Sequence, residues 1–272
     1  MKSATAGEVV EILHRRYPPE TAQEWDRVGV VLGDLNTRVS KIYLAVDVLP
    51  ETVAEALSWG ADFFIAHHPL FLFELTEPEP GEDPLPIAPW KSELANQLET
   101  AGITLLTAHT NADVAQPGVS DALADAIGLI NVVAMPGGLG RVGEVLRPVP
   151  LSKFVEQISR AIPVGINGVR ATGDPHQLIK RVAVCGGSGD DRFELLQELG
   201  VDAYLTADLK HHRVAEALAA GAPVLIDGGH FATEWPWLAQ AARLLAEDLT
   251  QGGYAQPEMK ISEISTDPWR VR

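Results

Sequence analysis

Short apolar runs alternate with helix-forming stretches along most of this chain, and this alternation limits its fold more than any other feature. Residues 41–48, KIYLAVDV, have the pattern of a buried strand. Residues 49–60, LPETVAEALSWG, have that of a helix with proline near its start and glycine past its end. Residues 61–66, ADFFIA, again predict a strand. Strands that alternate with helices predict an α/β fold of mostly parallel or mixed sheets covered by helices.

The pattern changes in the middle of the chain. Residues 135–148 are rich in glycine, and strands and helices alternate again after them as far as residue 249. We therefore predict two α/β domains that meet near residue 130. An acidic, proline-rich stretch, residues 74–89, is predicted to be a long mobile loop.

Composition and charge limit the location and the partners of the protein. Of its 272 residues, 46% are hydrophobic and 21% charged, as in soluble globular proteins. No run approaches the roughly 18 apolar residues that a membrane span requires. The single cysteine, Cys185, cannot form an internal disulfide, which favours the cytoplasm, and we expect a small buried residue. A net charge of −16 argues against nucleic acids and anionic membranes as partners.

Side chains that can bind metals or carry protons collect after the predicted strands, where open parallel sheets bind their ligands. These residues are His67, His68, His109, Asn111, Asp113, Asp208, His211, His212, His230 and Glu234. The donor set that suits two divalent ions combines three imidazoles with two carboxylates: His67, His68, His230, Asp113 and Glu234. Imidazole with carboxylate suits Zn, Fe, Mn, Co or Ni, whereas Mg and Ca prefer oxygen ligands.

The adjacent histidines allow two interpretations. Neighbouring side chains on an extended strand point to opposite faces, so His67 and His68 reach one site only if the chain bends. Pro69 ends the strand and favours such a turn. In the alternative, one histidine is buried against a backbone partner and the other is exposed.

His230 and Glu234 are four residues apart in GGHFATEWPWL. We predict that Thr233 caps a helix beginning at Glu234 and that the turn aims the imidazole and the carboxylate at one point. Alternatively, Glu234 only favours a helix N-terminus and His230 is an incidental turn residue.

The glycine turn VCGGSGDD, residues 184–191, also has two interpretations. Glycines let backbone N–H groups approach an anion, so the turn could hold a phosphate. It lacks the G-x-x-x-x-G-K-[ST] pattern, however, and a tight strand-to-helix connection is the more common use of such a turn.

Five stretches together resemble the NIF-three-like family, also called GTP cyclohydrolase I type 2 homologs, over roughly residues 5 to 266. They are EWDRVGVVLGD (24–34), IAHHPLF (65–71), AHTNADVAQPGVSDALA (108–124), YLTADLKHH (204–212) and DGGHFATEWP (227–236). The histidine pair with proline, H-T-N-x-D and G-H-x-x-x-E are specific in combination. One departure is Thr206-Ala207-Asp208, where the family often has T-G-[DE]; the loss of that glycine puts substrate binding in doubt more than metal binding.

The resemblance implies a dinuclear metal centre in a cleft between two related α/β domains, inside a toroidal homohexamer that is a trimer of dimers. Its ligands match His67, His68, Asp113, His230 and Glu234 by motif. The family's first domain is completed by the C-terminal helix and strand. The implied domains are therefore residues 1–130 with 235–272, and residues 131–234.

These features support a metal-dependent hydrolase as the first functional hypothesis. It would act on a nucleotide or a phosphate ester through a metal-bridging hydroxide, with His109 or His212 carrying protons. For either histidine, a structural or exposed position is the alternative. The rival hypothesis is a non-catalytic metal-binding scaffold that stores or senses metal or binds other proteins.

Overall fold

The structure of the protein, a computed structural model, describes residues 2–72 and 86–271. The chain forms two compact units, Met1–Ala112 with Leu238–Thr266 and Asp113–Trp237 with Asp267–Arg272, here called unit 1 and unit 2. Each unit has its own sheet, covered by helices, which confirms the predicted α/β class. Most of the predicted loop at 74–89 lies outside the described residues; α3, described below, begins at Pro89.

Among the described residues, the first part of the chain forms four strands and four α-helices. In chain order they are α1 (Ala6–Arg16), β1 (Gly29–Leu32), β2 (Lys41–Ala45), α2 (Pro50–Trp59), β3 (Phe63–Ala66), α3 (Pro89–Thr100), β4 (Thr104–Thr107) and α4 (Thr110–Val114). α1 begins with a capping box, because Thr5 and Glu8 each bind the other's backbone N–H. α2 ends at Gly60, whose φ of 74° is the left-handed cap expected of glycine.

The second part forms unit 2. Its elements are α5 (Val119–Ala126), β5 (Ile130–Ala134), β6 (Arg141–Pro150), α6 (Leu151–Ala161), β7 (Arg170–Ala171), β8 (Leu178–Ser188), α7 (Phe193–Leu199), β9 (Ala203–Ala207), α8 (His211–Ala219), β10 (Val224–Asp227) and α9 (His230–Glu234). Its six strands have the order β5-β6-β8-β9-β10-β7. β8, β9 and β10 are parallel, whereas β5, β6 and β7 pair antiparallel with their neighbours.

The chain ends with α10 (Pro236–Gln251) and β11 (Glu258–Ile261), and β11 returns to unit 1. It pairs in parallel with β2, which gives unit 1 a five-stranded sheet of order β1-β4-β3-β2-β11. β1 pairs antiparallel with β4, whereas β4, β3, β2 and β11 are parallel to one another. This return of the C-terminal strand agrees with the family resemblance.

The first boundary between the units lies at Ala112–Asp113, whereas the sequence pattern placed the change near residue 130. The difference comes from α5, which packs on the sheet of unit 2. Its Leu123 and Ala124 are fully buried in the same hydrophobic core as Val182 of β8. The last residues, from Asp267 onwards, also belong to unit 2 rather than to the first domain.

Both units align their first parallel strands with the same device. In unit 1, the Asp62 carboxylate accepts the backbone N–H groups of residues 40–41 at 2.7 and 2.8 Å. In unit 2, Asp202 accepts those of residues 180–181, each at 2.8 Å. The matching positions agree with two units of related architecture. In the part of the chain that the structure describes, no helix has the length and apolar character that crossing a membrane needs.

Candidate metal centre

Three histidines of unit 1 meet at the carboxyl ends of β3 and β4, which are neighbouring parallel strands. His67 and His68 follow β3, and His109 follows β4. Their ring centroids lie 5.0 to 5.4 Å apart, and each ring can place one nitrogen within 4.8 Å of the others. These residues, here called the histidine cluster, are grouped closely enough to hold a metal ion.

The chain bends at the two adjacent histidines, directly after β3, as the first interpretation requires. Their N–H groups donate to the carbonyl oxygens of Ala45 and Val46, at 3.2 and 2.8 Å, which continues the pairing of β3 with β2. His67 is fully buried and its Nδ1 lies 2.9 Å from the carbonyl oxygen of Ala108. His67 therefore has the backbone partner of the second interpretation. His68 is only partly exposed, and its ring stays beside that of His67.

Asp47 holds the second imidazole of the cluster. Its Oδ1 lies 2.7 Å from Nδ1 of His68, and its Oδ2 accepts a hydrogen bond from the Thr266 hydroxyl. Because a carboxylate oxygen only accepts, the His68 proton lies on Nδ1 and the ring lone pair on Nε2. Metal-binding histidines usually have such a carboxylate partner. Sequence reasoning missed Asp47, although it follows β2 as the histidines follow β3.

Asp26 holds the third imidazole in the same way. Its Oδ1 lies 2.8 Å from Nδ1 of His109, and the Asp26 side chain is buried. Burial raises the pKa of Asp26, but hydrogen bonds from His109 and Thr110 outweigh it and lower the pKa to about 2. Asp26 is thus a permanent anion at neutral pH. It was missed as a site residue, since EWDRVG was noted only for the resemblance.

A second group of titratable side chains lies in unit 2, at the ends of α9 and β9. His230 begins α9 and Glu234 ends it, with 3.1 Å between Nε2 and Oε1. Asp208 follows β9 and its Oδ2 lies 2.6 Å from Nδ1 of His230. The charge of buried Glu234, more than the opposing effect of burial, raises the pKa of His230 to about 11, and Asp208 adds to this. The charged imidazolium of His230 therefore lies between the carboxylates of Asp208 and Glu234.

The predicted helix cap at Thr233 is wrong, because α9 begins four residues earlier than Glu234. Gly229 precedes the helix and Thr233 lies inside it. The Thr233 hydroxyl donates to the carbonyl oxygens of Gly229 and His230 and accepts the N–H of Gly187. Thr233 thus ties α9 to the glycines at the end of β8, and a single turn of helix brings His230 and Glu234 to one side.

The glycine turn makes room for Glu234. The N–H groups of Gly186 and Gly187 bind the hydroxyls of Ser120 and Thr233 at 3.2 and 3.0 Å, so a tight connection describes these two residues better than a phosphate cradle. Gly187 has φ +68°, and a Cβ there would overlap Oε1 of Glu234 and lie 3.2 Å from Nε2 of His230. Only glycine fits both the backbone and the space.

The remaining predicted site residues have different surroundings. Asp113 lies half-buried in α4. Burial first, and the Asp113 charge second, raise the pKa of Cys185 to about 12, so this thiol stays neutral and buried, as predicted. His212 is exposed on the first turn of α8, and its ring packs against that of His211 rather than against either donor group.

A scan of family models matches residues 4–268 to Duf34/NIF3 (NGG1p interacting factor 3). The chain belongs to the Duf34/NIF3 family. Among curated members, the GTP cyclohydrolase 1 type 2 homolog of Streptomyces coelicolor is 41% identical, with 96% of this chain and 92% of that protein covered. The homolog of Mycobacterium leprae is 32% identical and covers 99% of this chain and 96% of its own length.

Solved structures of family relatives share the fold. The Staphylococcus aureus hypothetical protein SA1388 superposes with a TM-score of 0.87 over the whole of both chains at 26% identity. Reduced HcgD from Methanocaldococcus jannaschii gives a TM-score of 0.73 at 26% identity, covering 96% of this chain and 99% of its own. The Duf34/NIF3 assignment made from sequence motifs is therefore confirmed.

Proposed function

We propose that this Duf34/NIF3 protein is a metal-dependent hydrolase that acts on a nucleotide or a phosphate ester. Its centre would bind two divalent metal ions through His67, His68, Asp113, His230 and Glu234. The observation that carries the proposal is the way the imidazoles are held. A carbonyl or a carboxylate accepts from Nδ1 of His67, His68 and His230, which directs the lone pair of a neutral ring to Nε2.

The donor types fit Zn, Fe, Mn, Co or Ni, because these ions accept imidazole nitrogen together with carboxylate oxygen. When bound, two such ions would polarise the substrate and lower the pKa of a shared water molecule towards neutrality. The protein's own part is to keep the donors in place. Asp47 and Asp208 orient two of the imidazoles, and Glu234 contributes a buried carboxylate whose charge draws a cation.

The negative charge of the chain means that an anionic substrate could bind only where metal ions supply positive charge. With a net charge of −16, the protein as a whole repels phosphates. A nucleotide or phosphate ester would therefore need local positive charge, which two divalent ions supply. Exposed His212 is the weaker of the two proposed proton carriers, and His109, held by Asp26, is the stronger.

Elemental analysis of protein purified without added metal tests the centre. We expect about two equivalents per chain in the wild type and loss of most metal in His67→Ala. His176→Ala is the matched control, because His176 is exposed in a turn of unit 2 and belongs to neither donor group. Retention of both metals by His67→Ala would refute the proposed ligand set.

Turnover tests the reaction separately. Ring opening of GTP and cleavage of phosphodiesters and phosphomonoesters would be assayed with Mn, Fe or Zn, using the metal-loaded protein. Metal-dependent turnover that His67→Ala abolishes supports a hydrolase. A loaded protein without turnover on either class would favour the non-catalytic scaffold.

The proposal includes a homohexamer in the cytoplasm, which the family resemblance and the single cysteine support. Light scattering coupled to size-exclusion chromatography tests the assembly, since a hexamer of the 29.3 kDa chain has six times that mass. A monomer or dimer at micromolar concentration would contradict it.

A further inference from the structure

Asp26 is a buried carboxylate that the proposed ligand set leaves unused. It lies in the loop between α1 and β1, and 7% of its surface is exposed. Its Oδ1 accepts from Nδ1 of His109 at 2.8 Å and from the backbone N–H of Arg27 at 2.7 Å. Its Oδ2 accepts from the N–H of Thr110 at 3.0 Å and from the Thr110 hydroxyl.

These four donors use the full accepting capacity of the carboxylate, which has about four lone-pair sites. Asp26 therefore has no lone pair left for a metal ion while His109 and Thr110 keep these contacts. It can affect the centre only through the imidazole that it holds. Because every group around it donates, His109 must carry its proton on Nδ1, and a neutral ring then has its lone pair on Nε2.

His109 is held like the two histidines beside it. In all three, Nδ1 faces an oxygen that only accepts: the Ala108 carbonyl for His67, Asp47 for His68 and Asp26 for His109. The His109 ring packs edge-on against His67 and His68, and its centroid lies 5.9 Å from that of the exposed Trp25. Metal-binding histidines usually donate one ring N–H to such an acceptor, so His109 shares the arrangement expected of a ligand.

We propose that His109 is an additional metal donor, through Nε2, for the ion at His67 and His68, and that Asp26 is the positioning residue that fixes its tautomer. This inference rests on the proposed function, because it requires metal at the histidine cluster. It assigns His109 a ligand role in place of proton transfer, since metal on Nε2 and Asp26 on Nδ1 leave neither ring nitrogen free to carry a proton. Five side chains underfill two coordination shells, even if both carboxylates bridge. A sixth donor from His109 fills one of the open positions.

The test measures metal affinity and the visible absorption of bound Co²⁺ in the full chain. His109→Ala and Asp26→Asn should each weaken Co²⁺ binding by about 10- to 100-fold, as loss of a ligand or of its carboxylate partner does, and should change the Co²⁺ spectrum. An asparagine is uncharged and has a single accepting oxygen, so its NH₂ faces some of the four donors and its hold on the His109 tautomer is weaker.

A double-mutant cycle shows whether Asp26 acts through His109. Asp26→Asn added to His109→Ala should weaken binding no further, because the residue it positions is already absent. If Asp26→Asn weakens the His109→Ala protein by the same factor as the wild type, the positioning role is refuted. If His109→Ala keeps wild-type affinity and spectrum, the donor role is refuted. Should Asp26→Asn not fold, His109→Gln, which changes only the ring, still decides the donor role by the same two measurements.

Asp62→Asn is the matched control. Asp62 also lies in unit 1 and accepts two backbone N–H groups and a hydroxyl, and its partners belong to residues 40–41 rather than to an imidazole. The substitution should lower stability and leave Co²⁺ affinity unchanged.

The proposed function and the further inference are refuted by different results. A wild type that binds no metal refutes the proposed function, whereas loss of metal in His67→Ala but not in His109→Ala refutes this inference alone.

Discussion

Asp208 lies with its Oδ2 2.6 Å from Nδ1 of His230 and has a left-handed backbone with φ +57°. The preceding residue, Ala207, stands where the family often has glycine. Ala207 is buried in β9, and among the described residues only Asn131 and Asp208 are non-glycine residues with positive φ. The strained position is therefore Asp208, so alanine at 207 carries no backbone cost.

Asp208→Asn tests the hold on His230. Asparagine tolerates the left-handed region, so we expect the fold to persist while metal affinity falls by about 10- to 100-fold. Chelator competition with Zn²⁺ or Mn²⁺ measures the change. Asp174→Asn, in an exposed turn of unit 2, is the control and should bind as the wild type does. Equal affinities in all three proteins would show that Asp208 does not support a ligand.

Gly187→Ala tests the space beside Glu234. The added methyl group would overlap Oε1 of Glu234, so we expect loss of metal at unit 2 as well as lower stability. Gly200→Ala is the control: Gly200 has φ +59°, close to the +68° of Gly187, but a methyl group added there would meet no described heavy atom within 4 Å. Both substitutions should cost about 1 kcal/mol or more in unfolding free energy from backbone strain. Retained metal in Gly187→Ala would contradict the prediction.

Metal binding should release a proton from His230. Its pKa of about 11 in the metal-free protein means that the ring is charged at pH 8, where an unperturbed histidine is neutral. A ligating imidazole must be neutral, so affinity should rise with pH. Calorimetry in two buffers of different ionisation enthalpy counts the protons. His230→Ala, in which the histidine cluster is intact, should release about one proton fewer; equal counts would be contrary to the prediction.

Asp26 should stabilise unit 1 in a pH-dependent manner. Its pKa is lowered from 3.8 to about 2 in the folded protein, so its ionised form favours folding. This contribution, about 2 kcal/mol, is complete well above pH 3.8 and is lost as the pH falls through 2. Urea unfolding of the wild type and Asp26→Asn at several pH values measures it. The difference in unfolding free energy should shrink between pH 4 and 2; a constant difference would mean that Asp26 titrates normally.

Much of the fold was predictable because its elements are locally encoded. The buried run at 61–66 predicted β3, and proline and glycine marked the ends of α2. α9 was not predicted as a separate turn of helix, because it rests on Thr233 bonding to Gly187 from a distant strand. The sequence did not predict that α5 belongs to unit 2, for a similar reason. Its apolar face could pack on many surfaces, and only the tertiary structure shows that it packs against β8.

The sequence by itself determined the α/β class, the family and the histidines and carboxylates able to bind metal, because strand periodicity and motif spacing are local properties of the chain. Only the tertiary structure decided which oxygen each imidazole faces. Asp26, Asp47 and Asp208 are separated in sequence from His109, His68 and His230 by 83, 21 and 22 residues, respectively. Two of these pairings depend on neighbouring parallel strands that end at a common edge, whereas Asp26 reaches His109 from the loop between α1 and β1. In each pair the carboxylate fixes the ring's tautomer, and no local pattern specifies the contact.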